Sequence, residues 1–99
     1  MGREKLVRDR IAEYIRNNGG NPIIRIANDV EYWQKLKEKL LEEVGEFEKD
    51  ESLEEFIDVL EVLDAIAIFK KFRKKEIRRV KMQKAKGKGR FRRRIILDT

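Results

Sequence analysis

The sequence predicts a mainly α domain: a hairpin of two long helices accompanied by a small two-stranded sheet. Three observations lead there. Apolar residues recur at helical spacing over about 29–48 and again over 53–69. Only Lys49-Asp50-Glu51 separates the two stretches, and so short a link favours antiparallel neighbours. Finally, Pro22-Ile23-Ile24-Arg25-Ile26 is short, β-branched and bounded by turn residues, and Phe91 to Leu97 ends on Ile95-Ile96-Leu97; both read as strands. Ninety-nine residues suit one domain, 1–99, with a strongly basic segment at 70–94.

Each element has its own warrant. Residues 4–17 read as a helix, because Val7, Ile11 and Ile15 repeat every four residues. Asn17-Asn18-Gly19-Gly20 stops it, since Asn and Gly tolerate the left-handed conformation of a helix C-terminus. Residues 22–26 follow as a strand. Asn28 or Asp29 caps the second helix, whose stripe includes Tyr32, Trp33, Leu36, Leu40, Val44 and Phe47. Ser52 caps the third, and Glu55, three residues on, has the spacing of a capping box. A break near 70–74 precedes a basic helix from Lys75 to Lys86. Gly87-Lys88-Gly89 reads as a loop. The strand over 91–97 needs a partner for its backbone, and 22–27 is the one to hand.

Composition excludes several kinds of chemistry. There is no cysteine, hence no disulfide and no thiolate nucleophile, and no histidine, hence no imidazole base and no ordinary zinc site. No apolar run is long enough to span a bilayer, and the opening residues do not read as a signal peptide, so a cytoplasmic protein with no membrane partner is expected. The net charge of +6 conceals a segregation. Residues 31–64 hold 13 acids against 4 bases, a net of −9. Residues 70–94 hold 15 bases against the single acid Glu76, a net of +14.

The most informative pattern is Leu41-Glu42-Glu43-Val44-Gly45-Glu46 followed by Glu55-Phe56-Ile57-Asp58. Residues three apart share a helical face. Two antiparallel helices would therefore bring Glu43, Glu46, Glu55 and Asp58 to a common point. Such a group needs protons or a cation to offset its repulsion, and hard oxygen ligands suit Mg²⁺ or Mn²⁺. A single pair of this kind is more simply a solvated helix face, and Glu55 has a second use as the capping partner of Ser52. On the pattern alone, both readings stand.

The acidic block resembles the ExxE…ExxD signature of the MazG-like, all-α nucleoside triphosphate pyrophosphohydrolases, among which are phosphoribosyl-ATP pyrophosphohydrolase-like proteins. Lys5-Leu6-Val7-Arg8-Asp9-Arg10-Ile11 is similar to the opening of a small subgroup described as house-cleaning nucleotide pyrophosphatases. Asn21-Pro22, Gly89-Arg90-Phe91 and Arg94 to Leu97 extend the resemblance along nearly the whole chain. Two features depart from the family pattern: only eight residues separate Glu46 from Glu55, and the C-terminal segment is unusually basic.

The resemblance implies Mg²⁺-dependent cleavage of a nucleoside triphosphate to the monophosphate and pyrophosphate. It makes Glu43, Glu46, Glu55 and Asp58 the metal ligands, with Mn²⁺ a possible substitute. Glu42 becomes a candidate catalytic residue, or else an exposed bystander; without histidine, a carboxylate or a metal-bound hydroxide has to serve as general base. Lys5 and Arg8, which otherwise read as surface charges with Arg8 paired to a nearby acid, become substrate-binding candidates. Lys86, Lys88 and Arg90, in a glycine-containing loop, either close on a polyphosphate or stay mobile. Family members assemble as dimers or larger homo-oligomers, and uncovered apolar stripes point the same way. The rival expectation is a non-enzymatic module that binds nucleic acid through residues 70–94.

Overall fold

The computed structural model describes residues 4–98. Among these the chain forms four α-helices and no strand: α1 (Ile11–Asn17), α2 (Asp29–Lys49), α3 (Leu53–Phe69) and α4 (Lys74–Lys88). The helical expectation holds and the two-stranded sheet does not.

The long helices begin where their caps place them. Asn28 is extended, and its side-chain oxygen accepts the Glu31 backbone N–H at 2.9 Å. Ser52 does the same for Glu55 at 3.2 Å. The capping box is not completed, however, because the Ser52 backbone N–H donates to the Asp50 carbonyl at 2.8 Å. The Glu55 carboxylate is thereby left for other partners. At the far end of α3, Lys71 adopts a left-handed conformation (φ 62°), which breaks the helix within the expected stretch.

α2 and α3 pack against each other, and they are the only helices among the described residues that do. Tyr32 at the start of α2 meets Phe69 at the end of α3, ring centres 5.3 Å apart and edge-on. Phe47 at the end of α2 meets Phe56 at the start of α3 at 6.1 Å. These pairs show an antiparallel register. Trp33 stacks on Phe69, with the ammonium of Lys70 4.6 Å from the indole centre. The tyrosine and tryptophan thus belong to the packing, as their spacing implies. Leu36 and Val62 are the two buried apolar residues among those described, and Leu53, Phe56, Leu60 and Leu63 keep much of their surface in water.

Three sequence-based expectations need correction. The first helix starts at Ile11 rather than at residue 4, and residues 4–8 have no regular structure. Lys5, Arg8 and Arg10 would crowd positive charge at a helix N-terminus, which the macrodipole disfavours. Lys5 and Arg8 reach instead to acids of α2 and α3. The end of α1 is as expected: Gly19 has φ 87°, and a Cβ on Gly20 would clash with Ile15 Cγ2.

The second correction concerns 22–26 and 91–97, which are not strands. Strand propensity acts through pairing and burial. Neither segment finds a partner, and Ile23 and Phe91 are each 98% exposed. The third is that the glycine loop at 87–89 is mostly helix. α4 runs through Gly87 to Lys88 and ends at Gly89, whose φ is 84°. α4 projects from the hairpin, and the radius of gyration is 17.6 Å. A compact domain of this length would measure about 13 Å.

Arg25 ties the extended segments to α2. Its guanidinium donates to Glu4 at 2.8 Å and to Glu31 at 2.6 Å. Hydrogen bonding to Arg25 holds both carboxyls below their ordinary values. A carboxyl lowered in the folded state adds stability above its unfolded pKa, about 4.3 for Glu, and loses it as pH falls through the lowered folded value. Arg25→Gln is therefore expected to be less stable than the parent at pH 7, and the gap should close as pH falls below about 4. Urea unfolding of both chains at each pH measures it, and a gap independent of pH would contradict the assignment.

Candidate active site

Glu43 lies in the second turn from the end of α2, and Glu55 and Asp58 lie on the first turns of α3. Antiparallel packing faces them toward one another. One carboxylate oxygen from each of the three lies within 4.8 Å of the others, and all three side chains are half-buried. Glu46, the fourth expected ligand, is exposed and outside this triad. It remains close enough to act on Glu55 electrostatically.

Lost hydration pushes the Glu55 carboxyl above its ordinary value, and the charges of Asp58, Glu46, Glu43 and Asp50 add to the effect. Hard oxygens that repel one another at this spacing fit a divalent cation of the Mg²⁺ type. They equally fit a proton on Glu55, so a proton and a cation would compete for the same place.

Basic residues frame the carboxylates. The Arg8 guanidinium donates to Asp58 Oδ1 at 2.8 Å. Arg8 is thus paired not to a local acid, as the surface-charge reading has it, but across the chain to one of the triad. Lys5 Nζ is 3.5 Å from Glu42. Lys39 contacts both Glu42 and Glu43, at 3.3 and 3.5 Å. Burial pushes the Glu42 carboxyl up, but Lys39 and then Lys5 outweigh it and hold the group below its ordinary value. Glu42 is therefore a fixed carboxylate and an intrinsically weak base.

A cleft of about 540 Å³ opens between the 6–10 segment and the hairpin. Arg8, Lys39, Glu43 and Asp58 line it, together with Tyr32 and Leu36. Glu61 and Asp64 also border it and are exposed. Asp9 orients neither neighbouring arginine, since Arg10 pairs with Glu13 and Arg8 with Asp58.

Lys86, Lys88 and Arg90 are not brought to the carboxylates. The first two occupy the last turn of α4, the third follows it, and α4 packs on no other helix among the described residues. Lys39 is the residue that sequence reasoning overlooked. Its signal was present, because it precedes Glu42 and Glu43 by three and four residues, the spacing of helical ion pairs.

No protein-family profile matches the chain, and no solved structure matches it significantly. A curated protein of Mycolicibacterium smegmatis (strain ATCC 700084 / mc(2)155), named only as an uncharacterized protein, is 57% identical over 42 residues. That similarity covers 42% of this chain and 43% of the relative, less than half of either.

The raised Glu55 carboxyl predicts how cation binding should depend on pH. A raised folded pKa means that protonation favours the folded state, and this contribution disappears as pH rises through it. As pH rises and Glu55 gives up its proton, repulsion among the close carboxylates grows, and a cation would relieve it; at low pH the Glu55 proton does so instead. Millimolar Mg²⁺ should therefore raise Tm at pH 7 and have little effect at pH 4. Asp58→Asn should abolish the pH 7 shift. Equal shifts at both pH values would argue against the triad as the binding locus.

Proposed function

We propose that the chain is a Mg²⁺-dependent nucleoside triphosphate pyrophosphohydrolase that converts an NTP or dNTP and water to the monophosphate and pyrophosphate, with non-canonical nucleotides as one substrate class. The observation that carries this reading is the meeting of Glu43, Glu55 and Asp58, two of which, Glu43 and Asp58, line an open cleft together with Arg8. Sequence resemblance to the MazG-like family supports the reaction type.

In this reading Glu43, Glu55 and Asp58 hold the cation, and Glu46 joins from the rim. Bound there, Mg²⁺ would neutralise phosphate oxygens and polarise water. Arg8 has a double use: it neutralises Asp58 in the free protein and turns to a phosphate when Asp58 takes up the cation. Lys5 and Lys39 keep Glu42 ionised and in place, so that its carboxylate accepts a hydrogen bond from the attacking water and orients it.

Pyrophosphate release from a panel of standard and modified NTPs, with Mg²⁺ and with EDTA, tests the proposal. Metal-dependent release is expected, with Mn²⁺ as a working substitute. Glu43→Gln should lower it by about two orders of magnitude or more, as loss of a ligand to a charge-stabilising metal does. Absence of release from every nucleotide would sink the reading.

Self-association belongs to the same proposal. A domain with two buried apolar side chains among its described residues, and with Leu41, Leu53, Phe56, Leu60 and Leu63 left 40–74% exposed, has a hydrophobic face to cover. A second copy laying its own hairpin there would complete a bundle. Light scattering should report at least twice the 11.9 kDa chain mass, and Leu60→Lys should shift the protein toward monomer. A parent chain that is monomeric at high micromolar concentration would exclude this assembly.

A further inference from the structure

The basic helix α4 is not used by the site just described. All of its residues except Ala85 are exposed, and it touches no other helix among the described residues. It carries Lys74, Lys75, Arg78, Arg79, Lys81, Lys84, Lys86 and Lys88 against the single acid Glu76. None of these eight cations has an ion-pair partner among the described residues. Just beyond the helix, a turn closed by Arg94 N–H to the Phe91 carbonyl gathers Arg90, Arg92, Arg93 and Arg94. Arg94 takes a left-handed φ of 59° there.

We infer that α4 and the arginine turn, residues 74–94, form a docking surface for the backbone of duplex DNA. Charge complementarity identifies a polyanion, and the distribution of charge around the helix narrows the choice. At about 100° per residue, the eight bases sweep an arc of about 220°. A helix lying in a groove meets phosphates on both walls and uses such an arc, whereas a helix on a membrane surface needs a continuous apolar face. α4 has none. Lys81, Lys84 and Lys88 fall within about 40° of Ile77, and Met82 lies about 140° away from it.

The dimensions agree with a duplex. Fifteen residues make a rod about 22 Å long, and the B-form major groove, about 12 Å wide, admits an α-helix. The major groove of duplex RNA is too deep and narrow. The hairpin, net −9 over residues 31–64, repels the same polyanion. DNA is therefore held at the α4 end and kept away from the carboxylates. The contacts are to phosphates, so binding is independent of sequence and steeply dependent on salt.

Fluorescence anisotropy of the full chain on a 20-base-pair duplex tests the inference, with EDTA present to remove any contribution from divalent ions. Engagement of about six phosphates gives a slope of log K against log salt near −5, and about a thousandfold loss of affinity between 50 and 200 mM KCl. Replacing Lys81, Lys84 and Lys88 together by Gln keeps helix propensity and touches no packed surface. Circular dichroism should be unchanged, the slope should become shallower by about three, and affinity at 50 mM salt should fall at least tenfold. No binding at 50 mM KCl would overturn the assignment. So would a slope unaffected by the triple change, or equal or tighter binding of single-stranded RNA or phosphatidylserine vesicles.

Discussion

The antiparallel contact between α2 and α3 is the constraint on which the rest of the molecule depends. Tyr32 against Phe69, Leu36 and Val62 in the middle, and Phe47 against Phe56 set the register. That register puts Glu43 opposite Glu55 and Asp58. The carboxylates oppose the contact that assembles them, because like charges held close in a half-buried place repel. Apolar burial along the seam, Lys39 on Glu43 and Arg8 on Asp58 offset that repulsion. The triad is thus a local liability held in place by packing elsewhere.

The N-terminal segment is part of the same balance. It gives up helix over residues 4–8 and lays Lys5 and Arg8 across the mouth of the acidic groove. Exposed ion pairs of this kind are individually weak. Several act together here, and Arg25 adds a clamp on Glu4 and Glu31. A segment held by weak contacts can exchange partners at little cost, which suits a strap over a cleft.

Opposite charge does not draw α4 onto the acidic hairpin. Solvated ion pairs yield too little to order a helix, and α4 has no apolar stripe with which to bury itself. The protein therefore keeps two electrostatic poles, an acidic one around the carboxylates and a basic one beyond residue 70. One short chain thus keeps its acidic and basic surfaces apart.

The sequence by itself determined the two long helices almost to the residue. Their 3.6-residue stripes and the caps at Asn28 and Ser52 are local signals, read without knowledge of any neighbour. It also supplied the paired acids and the polarity of the chain. Tertiary structure decided what depends on partners. Residues 22–26 and 91–97 have strand-like composition but nothing to pair with, and the 4–8 segment exchanges helix for cross-chain ion pairs. Tertiary structure also selected three carboxylates from four, because whether Glu46 reaches the triad depends on helix register and not on spacing within one helix. Likewise, Ser52 N–H bonding to Asp50 releases Glu55 to the cluster, a choice between two hydrogen bonds that the capping pattern alone leaves open.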